Sequence, residues 1–136
     1  MKKLFFDTNV VMNVYLPDRP GYKSVEKILD QVKLNKVHLS CAWHTLSILE
    51  YTGKKHVKGE ILNTLRNAVS LFEIPATGKI HAQQAFNYFS GDYEDAMQIQ
   101  TAVLAKADII ITSDKSGGFD KSPIPVMTTV QYLKKS

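Results

Sequence analysis

Acidic residues stand where short apolar runs end. Asp7 directly follows Leu4-Phe5-Phe6, and Asp114 closes Ile110-Ile111-Thr112-Ser113-Asp114. Asp92 and Asp95 precede that second run at a spacing of i, i+3, which places them on one side of a helix. Glu50 interrupts an apolar surround of Leu46, Ile48, Leu49 and Tyr51, where a carboxylate is costly unless something pairs with it. Two carboxylates ~4 Å apart repel by roughly 4 kcal/mol at an effective dielectric near 20. A cluster of three or four therefore protonates, destabilises the fold or takes a cation. Ligands that offer only oxygen select a hard ion, Mg²⁺ or Mn²⁺, one or two of them. Such an ion would generate hydroxide from bound water and stabilise charge developing on a phosphodiester. His38, His44, His56 and His81 are scattered without zinc spacing and read as surface or core polar residues.

Each acid also has a purely structural explanation. Asp92 fits a helix N-cap with Asp95 at the third helical position. Asp7 fits a cap through Asp7-Thr8-Asn9, and Asp114 fits the start of a turn ahead of Gly117 and Gly118. Glu50 fits an exposed helix position. The elements that carry them decide between these readings. Leu4–Phe6, Val37–Cys41, Leu71–Ile74 and Asp108–Thr112 read as strands, with Ile124–Met127 a short edge strand at best. Between them run helical stripes such as Val25, Ile28, Leu29 and Val32. Further helices are expected from Ala42 to His56, through Ile61–Val69, along Ala82, Ala85, Phe86 and Phe89, from Ala96 to Lys106, and at the tail. Strands alternating with helices predict βαβ units and a three-layer α/β/α sandwich around a mostly parallel sheet of four or five strands. In a parallel sheet the strand C-termini share one edge, where open α/β sheets bind ligands. Asp7 and Asp114 should face one crevice there.

The chain has 136 residues, 44% of them hydrophobic and 22% charged. That suits one domain over 1–136 with a core of its own and argues against wholesale disorder. The single Cys41 excludes an internal disulfide framework and fits a reducing, cytoplasmic setting. No apolar run approaches the ~20 residues of a membrane span, and Asp7 and Asn9 break up the apolar start, so no secretion signal is expected. A net charge of +4 permits a polyanionic partner.

With Phe6-Asp7-Thr8-Asn9, Glu50, Asp92-Tyr93-Glu94-Asp95-Ala96 and Ile111-Thr112-Ser113-Asp114, the sequence resembles PIN-domain nucleases along essentially its whole length. The resemblance implies an α/β/α fold and acids that bind Mg²⁺ or Mn²⁺ to cut single-stranded RNA. Many bacterial stand-alone members are VapC-type toxins, held inactive by a cognate antitoxin. Carried over by position, Asp7, Glu50, Asp95 and Asp114 are the catalytic acids, and Asp7, Asp95 and Asp114 the metal ligands. Thr8, Asn9 and Thr112 resemble the polar support, and Asp92 takes a secondary role.

The densest basic run, Lys54, Lys55, His56 and Lys58, together with Lys115, offers phosphate contacts to RNA. Tyr15, Trp43, Tyr51 and Tyr93 are candidates for base stacking, against the commoner role of core aromatics. The apolar run Val10–Leu16 and the segment around Tyr88-Phe89 suggest a covered surface, by homodimerisation or by an antitoxin helix, unless they are ordinary core. The leading expectation is a metal-dependent endoribonuclease, the toxin of a toxin–antitoxin pair. A haloacid-dehalogenase-like phosphohydrolase is an alternative, but it needs an acid two residues after Asp7, where Asn9 stands. A non-catalytic RNA- or protein-binding module of the same fold is the other.

Overall fold

The computed structural model describes residues 1–55, 60–113 and 117–136. The chain begins with strand β1 (Lys2–Phe6) and helices α1 (Thr8–Tyr15) and α2 (Tyr22–Lys33), then β2 (Val37–Ser40). Helices α3 (Trp43–Gly53), α4 (Ile61–Leu71) and α5 (Lys79–Gln84) follow, the last running into a 3₁₀ turn at Ala85–Tyr88. Helix α6 (Tyr93–Leu104), β3 (Ile109–Thr112), β4 (Val126–Thr128) and α7 (Thr129–Lys135) complete it.

The four strands form one parallel sheet in the order β2-β1-β3-β4. Strand period two sends successive side chains to opposite faces. Leu4, Phe6, Ile109 and Ile111 pack on one face with Val10 and Val11 of α1, Ile28 of α2 and Tyr132 of α7. Phe5 and Ile110 pack on the other with Ile99 and Ala102 of α6 and with Phe119. Helices thus cover both faces, and β3 is buried throughout, as its β-branched run predicts.

Three expectations change. Leu71–Ile74 is not a full strand: Leu71 still belongs to α4, and Glu73 makes one parallel bridge to Ser40 at the outer side of β2. Val10–Leu16 is ordinary core rather than a partner surface, because Val10, Val11 and Met12 of α1 and Leu16 at its end are all buried. The stripe from Ala82 to Phe89 is a short helix plus a 3₁₀ turn that buries Ala85 and leaves Phe86 and Phe89 exposed. Among the described residues no helix is long and apolar enough to cross a membrane. Cys41 is buried, and burial pushes its thiol up to about 12, so it is chemically quiet at neutral pH.

The order β2-β1-β3-β4 matters for the site. The chain leaves β1 toward β2 on one side and returns to β3 on the other, so the topological switch lies between β1 and β3. Phe6 is paired with Ile111 there, and the Asp7 amide donates to the Ile111 carbonyl at 3.1 Å. The residues that end β1 and β3 therefore meet at the crevice where this class of sheet binds ligands.

Candidate active site

Asp7 is fixed from two sides. It is the N-cap of α1, and its Oδ1 accepts the Val10 amide at 3.1 Å. Its Oδ2 accepts the Thr112 hydroxyl, from the end of β3, at 2.6 Å. Asp7 is 6% exposed. Burial, with the charge of Glu94 adding to it, pushes the carboxyl up to about 6, against the opposing hydrogen bonds from Thr112 and the Val10 and Asn9 amides.

Asp95 opens α6, and its amide is capped by Asp92 Oδ1 at 3.2 Å. Its carboxyl is also raised to about 6, first by burial, then by the charges of Asp92, Glu94 and Asp7. The charge of Asp7, 88 positions away in the sequence, thus reaches Asp95. Gly118 closes the far side. A Cβ there would stand 1.7 Å from Asp95 Oδ2, so the absence of a side chain is what lets this backbone lie against the carboxylate.

Glu94 joins the cluster, although the sequence reading gave it no role. Its Oε2 takes His44 Nε2 at 2.6 Å, Thr8 Oγ1 at 3.5 Å and a short bond from Gln98 Nε2. Gln98 is fully buried and also donates to Thr8 Oγ1 at 2.8 Å, while Thr8 and Thr45 share a hydrogen bond of 2.9 Å. With both amide hydrogens so placed, the 3.2 Å approach of Gln98 Nε2 to His44 Nε2 is a contact and not a bond. Gln98 Oε1 has no hydrogen-bond partner among the described residues. Burial alone would raise the Glu94 carboxyl, but the His44 and Gln98 donors outweigh it and hold it below the usual value. A charged Glu94 is therefore built into the crevice by α1, α3 and α6 together.

Glu50 is not brought to this cluster. It is exposed and lies with Trp43, Leu46 and Ser47 on the stripe of α3 that borders α4. The α3 residues that reach the crevice are His44 and Thr45, with Leu49 buried one turn below Thr45. At about 100° per residue, a helix that turns Thr45 and Leu49 inward must turn Glu50 aside. The local signal for Glu94 was present in Asp92-Tyr93-Glu94-Asp95, but helical spacing alone does not rank adjacent acids.

The support residues divide. Thr8 and Thr112 hold the acids through their hydroxyls. Asn9 is exposed, and its side chain accepts from Arg19 at 3.4 Å, so only its amide serves Asp7. Asp92 is the helix cap and a charged neighbour of Asp95. Lys54 and Lys55 are exposed, with ammonium groups 5.7 and 5.1 Å from the Tyr51 ring centre. Among the aromatic residues, Trp43 and Tyr51 are exposed, whereas Tyr15 is tied to Asn67 and Tyr93 to the Ala82 carbonyl. Asp114, Lys115 and Lys58 lie outside the described residues.

The donor chemistry suits a hard cation. Among the described residues neither Asp7 nor Asp95 has a Lys or Arg partner; the close contacts between basic and acidic side chains are His38–Glu73 and His44–Glu94. Both carboxyls are raised first by burial, and the charges of neighbouring acids add to it. No three acid, His or Cys side chains among the described residues are arranged as a complete metal cage.

The chain matches the PIN domain family over residues 3–116, and it belongs to that family of nucleases. Solved structures share the fold. A chain of FitAB bound to an IR36 DNA fragment is 20% identical, with a TM-score of 0.65, covering 93% of this chain and 94% of that one. A chain of VapBC-1 from nontypeable Haemophilus influenzae is 14% identical, with a TM-score of 0.68, covering 94% and 98%. A chain of VapBC2 from Rickettsia felis, bound to a promoter DNA fragment, is 16% identical, with a TM-score of 0.60, covering 93% and 98%. No curated protein matches.

Proposed function

We propose that the protein is a Mg²⁺- or Mn²⁺-dependent endoribonuclease that cuts single-stranded RNA and serves as the toxin of a toxin–antitoxin pair. The observation that carries the reading is the meeting of Asp7 and Asp95 at the β1–β3 switch point, each raised by burial and by neighbouring acids. Asp7 and Asp95 would hold the cation, with Asp114 completing the set by its place in the sequence and Glu94 adding charge beside them. The bound ion, single or paired, supplies charge neutralisation at the scissile phosphodiester and lowers the pKa of water. Thr112 and the Val10 amide orient the two oxygens of Asp7. Gly118 leaves room for Asp95. Lys54 and Lys55, with Lys58 and Lys115 by sequence, would draw the RNA backbone toward the acids.

The likeness to chains of VapBC complexes supports an antitoxin partner. A groove of about 550 Å³ between α3 and α4, lined by Leu46, Ile61, Leu62 and Leu65, offers an apolar surface for its helix or for a second copy of the chain. The phosphohydrolase alternative loses its footing with family membership and with Asn9 turned toward Arg19.

The test is direct. Purified protein cleaves single-stranded RNA with Mg²⁺ or Mn²⁺ and not with EDTA. Cleavage unaffected by EDTA rejects the reading, and RNA binding without cleavage under any metal favours the non-catalytic module. Three substitutions sharpen it. Glu50→Gln leaves the cleavage rate within about twofold, because Glu50 faces away, whereas Glu94→Gln lowers it by roughly tenfold, the size of effect typical of groups that orient metal ligands. Gly118→Ala also lowers cleavage by roughly tenfold, since the new methyl displaces the Asp95 carboxylate from its position. Circular dichroism of that variant should match wild type, because Gly118 does not need a left-handed backbone.

A further inference from the structure

Beside the acidic crevice lies a partly open cleft of about 100 Å³ between α3, α5 and α6. Trp43, His44, Thr77, His81 and Gln100 are among the residues that line it. His44 belongs to both places, because its ring borders the cleft while its Nε2 bonds Glu94. Anything seated in the cleft is therefore one side chain away from the acid cluster.

The lining offers three different kinds of contact. Trp43 is 70% exposed although it is the only tryptophan and sits at the first position of α3, so a large flat ring is left uncovered at the mouth. His81 Nδ1 accepts the Gly78 amide at 3.0 Å, which places the proton of the neutral ring on Nε2 and makes that nitrogen a donor. Gln100 is 6% exposed and its Nε2 is committed to Gln84 Oε1 at 2.9 Å. Its Oε1 has no partner among the described residues, and it is not among the fully buried unpaired atoms, so it is an acceptor that solvent can reach. A stacking face together with a separate donor and acceptor is the combination that proteins use for an unpaired base, whose edges carry both kinds of group and whose faces stack on aromatic rings.

We propose that this cleft is a nucleobase subsite, which seats one unstacked base of a single-stranded RNA against Trp43, with His81 Nε2 and Gln100 Oε1 facing its edge. The proposal rests on the ribonuclease reading and adds to it: the base next to the cleaved linkage is gripped by α3, α5 and α6, while the acids address the phosphate. Every base presents a donor and an acceptor on its pairing edge, so each has partners to offer His81 Nε2 and Gln100 Oε1.

The sole tryptophan makes the test specific. In Asp7→Asn with Mg²⁺ present, a single-stranded hexaribonucleotide should quench Trp43 fluorescence in a saturable way. A hexamer of abasic ribose phosphates should leave it unchanged and bind at least tenfold more weakly. In the otherwise wild-type protein, His81→Ala and Trp43→Ala should each raise KM for the hexamer about tenfold and leave kcat within twofold. Gln100→Ala should do the same if it folds, and the two more exposed positions carry the test if it does not. Fluorescence that stays constant while anisotropy of labelled RNA reports binding, or an abasic hexamer that binds as tightly, overturns the subsite and leaves the nuclease reading intact. Absence of both binding and cleavage in the wild-type protein overturns the two together. Quenching by an antitoxin but not by RNA assigns the cleft to a protein partner and also overturns the proposal.

Discussion

Asp7→Asn and Asp95→Asn are each expected to reduce metal-dependent RNA cleavage by about a thousandfold or more, which is about 4 kcal/mol of barrier. The expectation follows from what the oxygens are for. Asp7 is held by Thr112 and by the Val10 amide, so its position survives an isosteric change, but an amide brings no negative charge to a cation. Asp95 keeps its helix cap from Asp92 in the same way. The loss is therefore electrostatic rather than structural, and the decisive measurement is cleavage across a range of Mn²⁺ concentrations beside a circular dichroism spectrum. A variant that is folded and cleaves at the wild-type rate would remove these acids from the site.

The same substitution at Asp7 should make the metal-free protein more stable. Its folded-state value is about 6, against an ordinary value of 3.8. A carboxyl raised on folding binds its proton more tightly in the native state. Its favourable contribution is complete below pH ~4 and is lost as the pH rises through ~6. A shift of about two units corresponds to about 3 kcal/mol. Asp7→Asn, measured in EDTA at pH 7.5, should therefore gain on the order of 2–3 kcal/mol, or several degrees in Tm. The advantage should fade as the pH falls from 6 to 4, because wild-type Asp7 then protonates. Asp95 pushes in the same direction, but it is half-exposed and screened, so its contribution is smaller. Added Mn²⁺ should raise the Tm of wild type more than that of the variant. A variant less stable than wild type at pH 7.5 would overturn the expectation and mean that folding favours the charged form of Asp7.

Much of this arrangement could be read from the chain. Asp7 and Thr112 stand at the ends of apolar runs, and strand ends are local features that β-branched residues mark clearly. Asp92 and Asp95 stand where a helix begins, and a cap is decided by a few consecutive residues. Parallel pairing then follows from alternation, because a strand that returns through a helix re-enters in the same direction. The direction of Glu50 could not be read from the chain for a physical reason. Leu46, Ile48 and Leu49 place apolar groups around most of α3, so the pattern does not say which side faces the crevice. Leu71–Ile74 reads as a strand by composition, yet α4 extends to Leu71 and leaves room for a single bridge.

Taken alone, the sequence determined the α/β alternation, the parallel sheet, and the acids that sit at strand ends and helix starts, because each depends on neighbours a few residues away. Only the tertiary structure decided that Glu94 joins Asp7 and Asp95 while Glu50 turns toward α4, and that Trp43, His81 and Gln100 share one cleft. Those outcomes depend on the rotation of α3 and α6 about their own axes as they pack. Periodicity fixes which residues of a helix lie together, but packing against the rest of the molecule fixes where that face points.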